Sequence, residues 1–510
     1  RNRVYGNVNL DYKLTDWLSV LGRVGTDYSH EVRKRQYFDG TVDVPAGGNF
    51  WQQTRTYNET NADLIFSAAG NVTSDIRLGG SLGGNYRRDT YQWTELSAAE
   101  LTVPDLFTIS NVKGNPSTGM YDREKVTNSV FGTFNFAFKE YLFMDATFRN
   151  DWSSTLPKDN WSYFYPSVSL GWIFTETFGM PQNILSFGKI RASWAQVGND
   201  TGPYQIIPTY SGDSPFGNVT PFSFTNELPP LNLLPEQTSS FEVGGDFRFF
   251  MNRLGLDITY YNAVTENQIM AVDISRATGF GSMRLNAGEI QNSGVELMLT
   301  GKILQSGSGF NWDVRVNWAK NTNKVNKLYT DPQTGQELES LQIASSWGSV
   351  TIQAIPGETY GVIKGGAFVR DDNGRIEVRS NGTPARSSTP EIIGNTTPDF
   401  IGGVNNIFSY KGLTANVLID FRKGGDIFSV THWFGAYAGI TAMTVDGDPY
   451  IRPAVEGQDI RVGGLIVDGV LADGSENTIV TAAQDYFESY WGLNEPSIID
   501  GGFIKLRELV

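Results

Sequence analysis

VTNSVFGTFNFAFKEYLFMDATFRN, Val126–Asn150, holds the argument for the fold in one hairpin. Val126, Val130, Phe134, Phe136 and Phe138 share one parity. After Lys139–Glu140 the pattern resumes with Leu142, Met144, Ala146 and Phe148, and Asp145, Thr147 and Arg149 fill the positions between. A period of two sends successive side chains to opposite faces of an extended strand. The stretch therefore predicts two strands, each with one apolar and one polar face, joined by a tight turn.

The same alternation runs outward in both directions. Val4, Val8, Leu10 and Tyr12 oppose Asn7, Asn9 and Asp11, and Ile76, Leu78, Leu82 and Tyr86 oppose Asp75, Arg77, Ser81 and Asn85. Phe241, Val243, Phe247 and Phe249 oppose Glu242, Asp246 and Arg248. Phe310, Trp312, Val314, Val316 and Trp318 oppose Asn311, Asp313, Arg315 and Asn317, and Leu413 to Phe421 alternate with Thr414, Asn416 and Asp420. About fifteen strands are predicted, each near the ~9–11 residues that cross a bilayer when tilted. Short connections fall near Thr15, Val72–Ser74, Lys139–Glu140, Met251–Arg253, Leu304–Ser308 and Tyr410–Gly412, with a longer one at Glu176–Ser186. Between them lie long loops at 29–57, 88–124, 151–163, 198–237, 265–289, 321–398 and 424–501. A soluble sandwich has no reason to alternate short and long connections. A transmembrane antiparallel β-barrel of the outer membrane has one, with short periplasmic turns and long extracellular loops. On that reading the strand at 3–13 runs toward the periplasm and the strand at 17–28 runs outward.

Composition narrows the function. The 510 residues carry a net charge of −15, which argues against a nucleic-acid partner, and cysteine is absent, which argues against thiol chemistry and zinc ribbons. Aromatic residues at 13% and 56 glycines suit many strands and tight turns. No apolar run is long enough for a transmembrane helix, but a barrel hides its apolar face in alternation. The chain opens Arg-Asn-Arg with neither an initiator Met nor a signal peptide and reads as a piece of something longer. Single-chain bacterial barrels have even strand numbers. About fifteen strands, the last ending in mid-pattern at Phe503–Val510, imply that strands are missing at the C-terminus and at the N-terminus as well.

Specific segments resemble a known family. YLFMDATFRNDWSSTLP with YFYPSVSLGWIFTETF, then FGKIRASWAQVGND, then LLPEQTSSFEVGGDFRFFMNRLGLDITYYNAVTENQI follow in order. NAGEIQNSGVELMLTGKI, GNTTPDFIGGVNNIFSYKGL and the closing GGFIKLREL complete the series. In this order the chain resembles the SusC/RagA-type TonB-dependent outer-membrane transporters of the Bacteroidetes, along nearly its whole length. The resemblance implies a barrel of ~22 strands around an N-terminal plug. It also implies a Ton box coupled to the TonB-ExbB-ExbD complex, a SusD-like lipoprotein over the extracellular mouth, and import of oligosaccharides or peptides. The sequence departs from the family in lacking a plug, a Ton box and the terminal strands, so residues 1–510 are expected to be part of the barrel domain. No cofactor and no enzymatic activity are implied. The rival readings are a TonB-dependent siderophore or cobalamin receptor, a passive porin, and a secreted β-rich glycan hydrolase. The hydrolase would need two carboxylates ~5–9.5 Å apart in a cleft.

Candidate site residues follow. In NAGEIQNSGVELMLTGKI, Asn286–Ile303, the Asn-x-Gly pairs invite a phosphate-loop reading, but alternation downstream makes a strand, not the helix such a loop requires. Asn292, Gly294 and Glu296 should then face the lumen, and Val295, Leu297 and Leu299 the lipid. With Asp313, Arg315, Glu242 and Arg248 they are expected to form a wall that meets the plug. The competing reading is a hydrated wall of internal ion pairs, each worth ~0–1 kcal/mol where exposed. Trp51, Trp93, Trp347, Trp433 and Trp491 in the long loops are the substrate candidates, against a competing role in loop packing. Trp17, Trp172 and Tyr261 read as an interfacial girdle. His30 and His432 lack the context of a triad or a zinc site. Acidic turns at Asp371–Gly374, Asp446–Asp448 and Asp473–Gly474 lack EF-hand spacing; a loop calcium is kept in view at Asp446 and Asp448.

Overall fold

The computed structural model describes every residue except 213–215, 218, 231, 332–333, 446–447 and 456–457, and describes only the backbone of 448–455 and 458–462. A 15-stranded antiparallel meander dominates it. Its strands, in chain and spatial order, are β1 (Asn2–Lys13), β2 (Leu18–Tyr37), β3 (Asn49–Asn71), β4 (Ile76–Ala98), β5 (Ser117–Phe138), β6 (Leu142–Ser153) and β7 (Ser162–Ile173). There follow β8 (Leu185–Asn199), β9 (Glu236–Phe249), β10 (Leu254–Glu266), β11 (Glu289–Gln305) and β12 (Phe310–Lys327). The last three are β13 (Pro398–Tyr410), β14 (Leu413–Gly424) and β15 (Phe503–Leu509).

Register confirms the parity read from the sequence. Leu142, Met144 and Ala146 of β6 sit opposite Phe138, Phe136 and Phe134 of β5 and opposite Trp172, Leu170 and Val168 of β7. On the other face Asp145 accepts from the Asn135 amide at 2.6 Å, and Thr147 and Ser167 hydroxyls meet at 2.6 Å. Apolar pairs with apolar and polar with polar across three strands, which is how a sheet fixes its register.

The short turns are built from local chemistry. Thr15 and Thr73 each accept, through the side-chain hydroxyl, the N–H of the residue three on, Leu18 and Ile76, at 3.1 Å. Lys139 (φ 49°) and Glu140 (φ 56°) make a two-residue turn with both φ positive, the twist that matches antiparallel strands. The connection after β7 instead holds a five-residue helix, Phe174–Phe178.

The long loops at 29–57 and 88–124 are shorter than expected, because the strands run on. β2 has 20 residues, β3 and β4 have 23 each and β5 has 22. At ~3.3 Å per residue these strands extend roughly 65–75 Å, over twice the ~30 Å of a hydrocarbon core. In Glu31–Gln36 and Thr90–Glu95 both faces are largely polar, so the alternation fades although the ladder continues.

Two compact units are delimited. The first comprises Arg1–Thr177, Arg191–Ser240 and Asn267–Asn286. Its buried apolar cluster, Phe50, Ala98 and Leu101, is covered by Phe107, Ile109 and Val112 from the β4–β5 connection. The second comprises Phe178–Ile190, Phe241–Glu266 and Ala287–Val510. There the connections after β12 and β14 are folded pieces in their own right. Leu341–Ser345, Thr351–Ala354, Val362–Gly365 and Glu391–Asn395 form a four-stranded sheet. Helix Val430–Tyr437, capped by Ser429 Oγ, packs against Ala483–Glu488. Residues 366–370 are tied to 494–495: the Gly366 N–H donates to Asn494 Oδ1 and the Phe368 N–H to Glu495 Oε2, both at 2.8 Å.

Candidate functional site

In the first unit the polar face of β2–β7 gathers the charged residues. Arg87 bridges Glu59 (3.1 Å) and Asp89 (3.0 Å), and the single Tyr57 hydroxyl proton is shared between Glu59 Oε2 at 2.8 Å and Asp89 Oδ1 at 3.1 Å. Arg149 pairs with Asp151 at 2.7 Å, and the Tyr165 hydroxyl donates to the same carboxylate at 2.5 Å. Lys125 pairs with Asp200 at 2.5 Å, and Ser153 donates to the other oxygen of Asp200. Arg87, Asp89, Lys125, Arg149, Asp151 and Asp200 line a recess of about 440 Å³ with Tyr57, Tyr163 and Arg123 on its walls. Asp200 comes from the segment after β8, so the recess joins residues far apart in sequence. Sequence reading named Arg149 here but missed Tyr57, Lys125, Tyr163 and Asp200. Tyr57, Lys125 and Tyr163 share parity on the polar face as their sequence signal; Asp200, in a connection, has none.

Asn292, Gly294 and Glu296 share one face of the sheet. Register places Asn292, Gly294 and Glu296 opposite Asn323, Asn321 and Ala319, and Val295, Leu297 and Leu299 opposite Lys320, Trp318 and Val316. The space over Gly294, however, is already filled. A Cβ there would meet the Lys320 carbonyl oxygen and lie 2.6 Å from the Tyr261 hydroxyl. Tyr261 lies across the glycine and donates to Asn321 Oδ1 at 3.0 Å; Asn321 Nδ2 donates to Asn292 Oδ1 at 3.3 Å. Tyr261 is thus on the polar face and not in an outward girdle, because its parity differs from that of Tyr260. Trp17, by contrast, is exposed, and the Trp172 indole N–H donates to Thr177.

Elsewhere much of the polar face satisfies itself. Arg248 pairs with Asp246 at 3.2 Å and lies over Phe187, and Asp420 accepts from Arg507 at 2.8 Å. Glu242 and Arg315 are exposed. Asp313 keeps one carboxylate oxygen shielded and without a partner.

The five tryptophans separate into three settings. Trp433 is 0% exposed; its indole N–H donates to the Tyr490 carbonyl at 2.5 Å, and Ala436, Phe487 and Tyr490 enclose it. It holds the loops together and offers no free surface. Burial also raises the Tyr490 phenol well above its ordinary range. Trp491, 54% exposed, stacks on Trp433 at 5.4 Å, and Trp347 is 69% exposed. Trp51 and Trp93 lie within β3 and β4, on the same polar face as the recess.

His432 Nδ1 is 3.0 Å from Ser497 Oγ, a local contact inside the loop fold. Asp371 accepts the N–H groups of Asn373 (2.9 Å) and Arg375 (2.8 Å) and also holds the Arg375 guanidinium, and these bonds keep its carboxyl below the usual range. Asp473 is lowered in the same way by Ser475. Both turns are closed by their own residues. Asp446 lies outside the described residues, and only the backbone of Asp448 is described. Among the described residues no group of three or more His, Cys, Asp or Glu is placed to hold a metal.

Residues 1–438 match the family model described as TonB dependent receptor-like, beta-barrel. The chain belongs to the TonB-dependent receptor β-barrel family. TonB-dependent receptor P3 of Formosa agariphila is 28% identical over 379 residues, covering 69% of this chain and 37% of the relative. TonB-dependent receptor SusC of Bacteroides thetaiotaomicron is 27% identical over 302 residues, covering 56% of this chain and 30% of the relative. The chain spans about half or less of the length of the curated relatives it matches. The structure of the RagAB peptide transporter shares the fold at a TM-score of 0.76 and 17% identity, over 99% of this chain and 55% of that one.

Family and fold give the two faces their meaning. The sheet is wall of an outer-membrane β-barrel, so the apolar face meets lipid and the polar face meets the lumen. No helix of the described residues is long and apolar enough to cross a membrane.

Proposed function

We propose that the protein imports nutrients across the outer membrane, with TonB-ExbB-ExbD supplying energy and a SusD-like surface lipoprotein helping to capture oligosaccharides or peptides. The observation that carries this reading is the receptor-barrel match over residues 1–438, supported by the relationship to SusC and the fold shared with RagAB. Cargo meets the extracellular loops and the upper polar face, then passes the lumen once the plug is displaced. Self-pairing of charges such as Arg87 with Glu59 and Asp89 suits a channel wall that must stay hydrated and bind cargo only briefly.

Uptake of labelled oligosaccharide and peptide pools tests this in cells carrying or lacking the gene, with and without TonB. Uptake that needs both the gene and TonB is expected. Uptake that persists without TonB would make the protein a passive porin. Co-purification of a surface lipoprotein with the receptor tests the partnership separately.

A further inference from the structure

Above the self-paired recess, the polar face of β2–β5 changes character. Its carboxylates are engaged: Glu31 pairs with Arg33 at 3.0 Å, Glu95 accepts from Gln53 at 2.9 Å, and Glu59 and Asp89 share Arg87. Arg35 and Arg123 share this face, placed by register opposite Trp51 and Tyr91, and among the described residues neither makes an ion pair, whereas Arg55 lies between Glu31 and Trp93 and donates to Gln53. Arginines without an ion pair on one face are unexpected in a chain of net charge −15.

The aromatic residues arrange these cations. The Arg35 guanidinium lies 5.0 Å over the Trp51 ring, and that of Arg123 lies 5.1 Å over Tyr91. Stacking occupies the flat face of a guanidinium and leaves its N–H fork free for a planar or tetrahedral anion. Trp93 leans over Gly119, where a Cβ would come within 3.0 Å of its ring, and stacks on Tyr121 at 6.1 Å with 23° between planes. Glycine at 119 lets the indole lie along the sheet and present its face.

We propose that this patch binds an anionic oligosaccharide: Trp93 takes the face of a sugar ring, and Arg123 and Arg35 take carboxylate or sulfate groups along the chain. A ring laid along a sheet suits the flat C–H face of a pyranose, and the arginines sharing its face suit a glycan that carries negative charge. The proposal rests on the import reading above and names its substrate class.

The test uses full-length receptor in detergent and titrates two charged probes, hexagalacturonate and a sulfated carrageenan hexasaccharide, against their methyl-esterified and desulfated forms. At least one charged probe is expected to bind about tenfold or more tighter than its neutral form, and to weaken as salt rises. Arg123→Gln should lower the charged affinity about tenfold and leave the neutral affinity unchanged; Trp93→Ala should lower both. The preferred charged probe tells carboxylate from sulfate. Equal binding of charged and neutral forms, no binding of either charged probe, an Arg123→Gln variant without effect, or hexaglutamate binding as tightly as the glycans would each overturn the proposal. TonB-dependent uptake of neutral cargo would leave import standing and remove this inference; absence of any TonB-dependent uptake would remove both.

Discussion

Gly294→Ala gives the sharpest reading of why the Asn-x-Gly stretch exists. The added methyl would meet the Lys320 carbonyl and come within 2.6 Å of the Tyr261 hydroxyl, so the ring must move. Overpacking of this kind costs ~1–3 kcal/mol. Loss of the bond from Tyr261 to Asn321, 3.0 Å long, adds about 1 kcal/mol. Alanine returns ~0.5–1 kcal/mol through the lower entropy of its unfolded chain. The net expectation is a loss of about 2 kcal/mol. Urea unfolding of the full-length receptor in micelles, followed by tryptophan fluorescence, reads it as a lower midpoint at unchanged slope. The cause is checked by a double-mutant cycle. In a Tyr261→Ala background the ring is gone, so Gly294→Ala should cost at least about 1 kcal/mol less. Additive costs would refute the reasoning and return Gly294 to the role first read from sequence, clearance for a separate domain.

Three further outcomes are expected. Trp433→Ala should cost ~3–5 kcal/mol locally, seen as new protease cleavage within 425–500 while the heat-resistant barrel band on gels persists; Trp433→Phe should be milder. Lys125→Met leaves the Asp200 carboxylate, 9% exposed, without its cation; the unfolding free energy should fall by roughly 3 kcal/mol, the low end for a buried pair, read as a lower urea midpoint, and Asp200→Asn in the same chain should recover most of it. The Asp371 turn should be sensitive to acid. Its carboxyl is held below the ordinary 3.8, so the stabilisation is full above that pH and is lost as pH falls through the lower folded value. Hydrogen exchange of residues 371–375, normalised to intrinsic rates, should be unchanged from pH 7 to 5 and faster only below about pH 3.8.

Where one face meets lipid and the other meets water, the fold is legible in residue order. Leu142, Met144 and Ala146 against Asp145 and Thr147 define a strand with no further information. Legibility ends where that contrast ends. Glu31–Gln36 continue β2 without a lipid face, so nothing in their order separates strand from loop, and the strand ends there were placed too early. Trp433 is a different case. Its burial depends on Tyr490 and Phe487, more than fifty positions away, and an isolated indole in a long loop reads equally well as a binding surface. The recess is harder still, because Asp200 reaches it from a separate connection. Asn292, Gly294 and Glu296 share one face, but what fills the space over Gly294 is not legible in their order, since Tyr261 comes from a neighbouring strand.

The central claim is that the polar face of these strands lines a barrel lumen and the apolar face meets lipid. Residues 1–510 contain no cysteine, so, with any cysteine elsewhere in the full-length receptor replaced by serine, single nitroxide labels can be placed at Glu296→Cys and Leu297→Cys in bilayers. The decisive measurement is their relaxation by lipid-soluble oxygen and by a water-soluble nickel chelate. The account expects oxygen to dominate at position 297 and the chelate at position 296. The reverse pattern, or equal access of both relaxants at both sites, would contradict it.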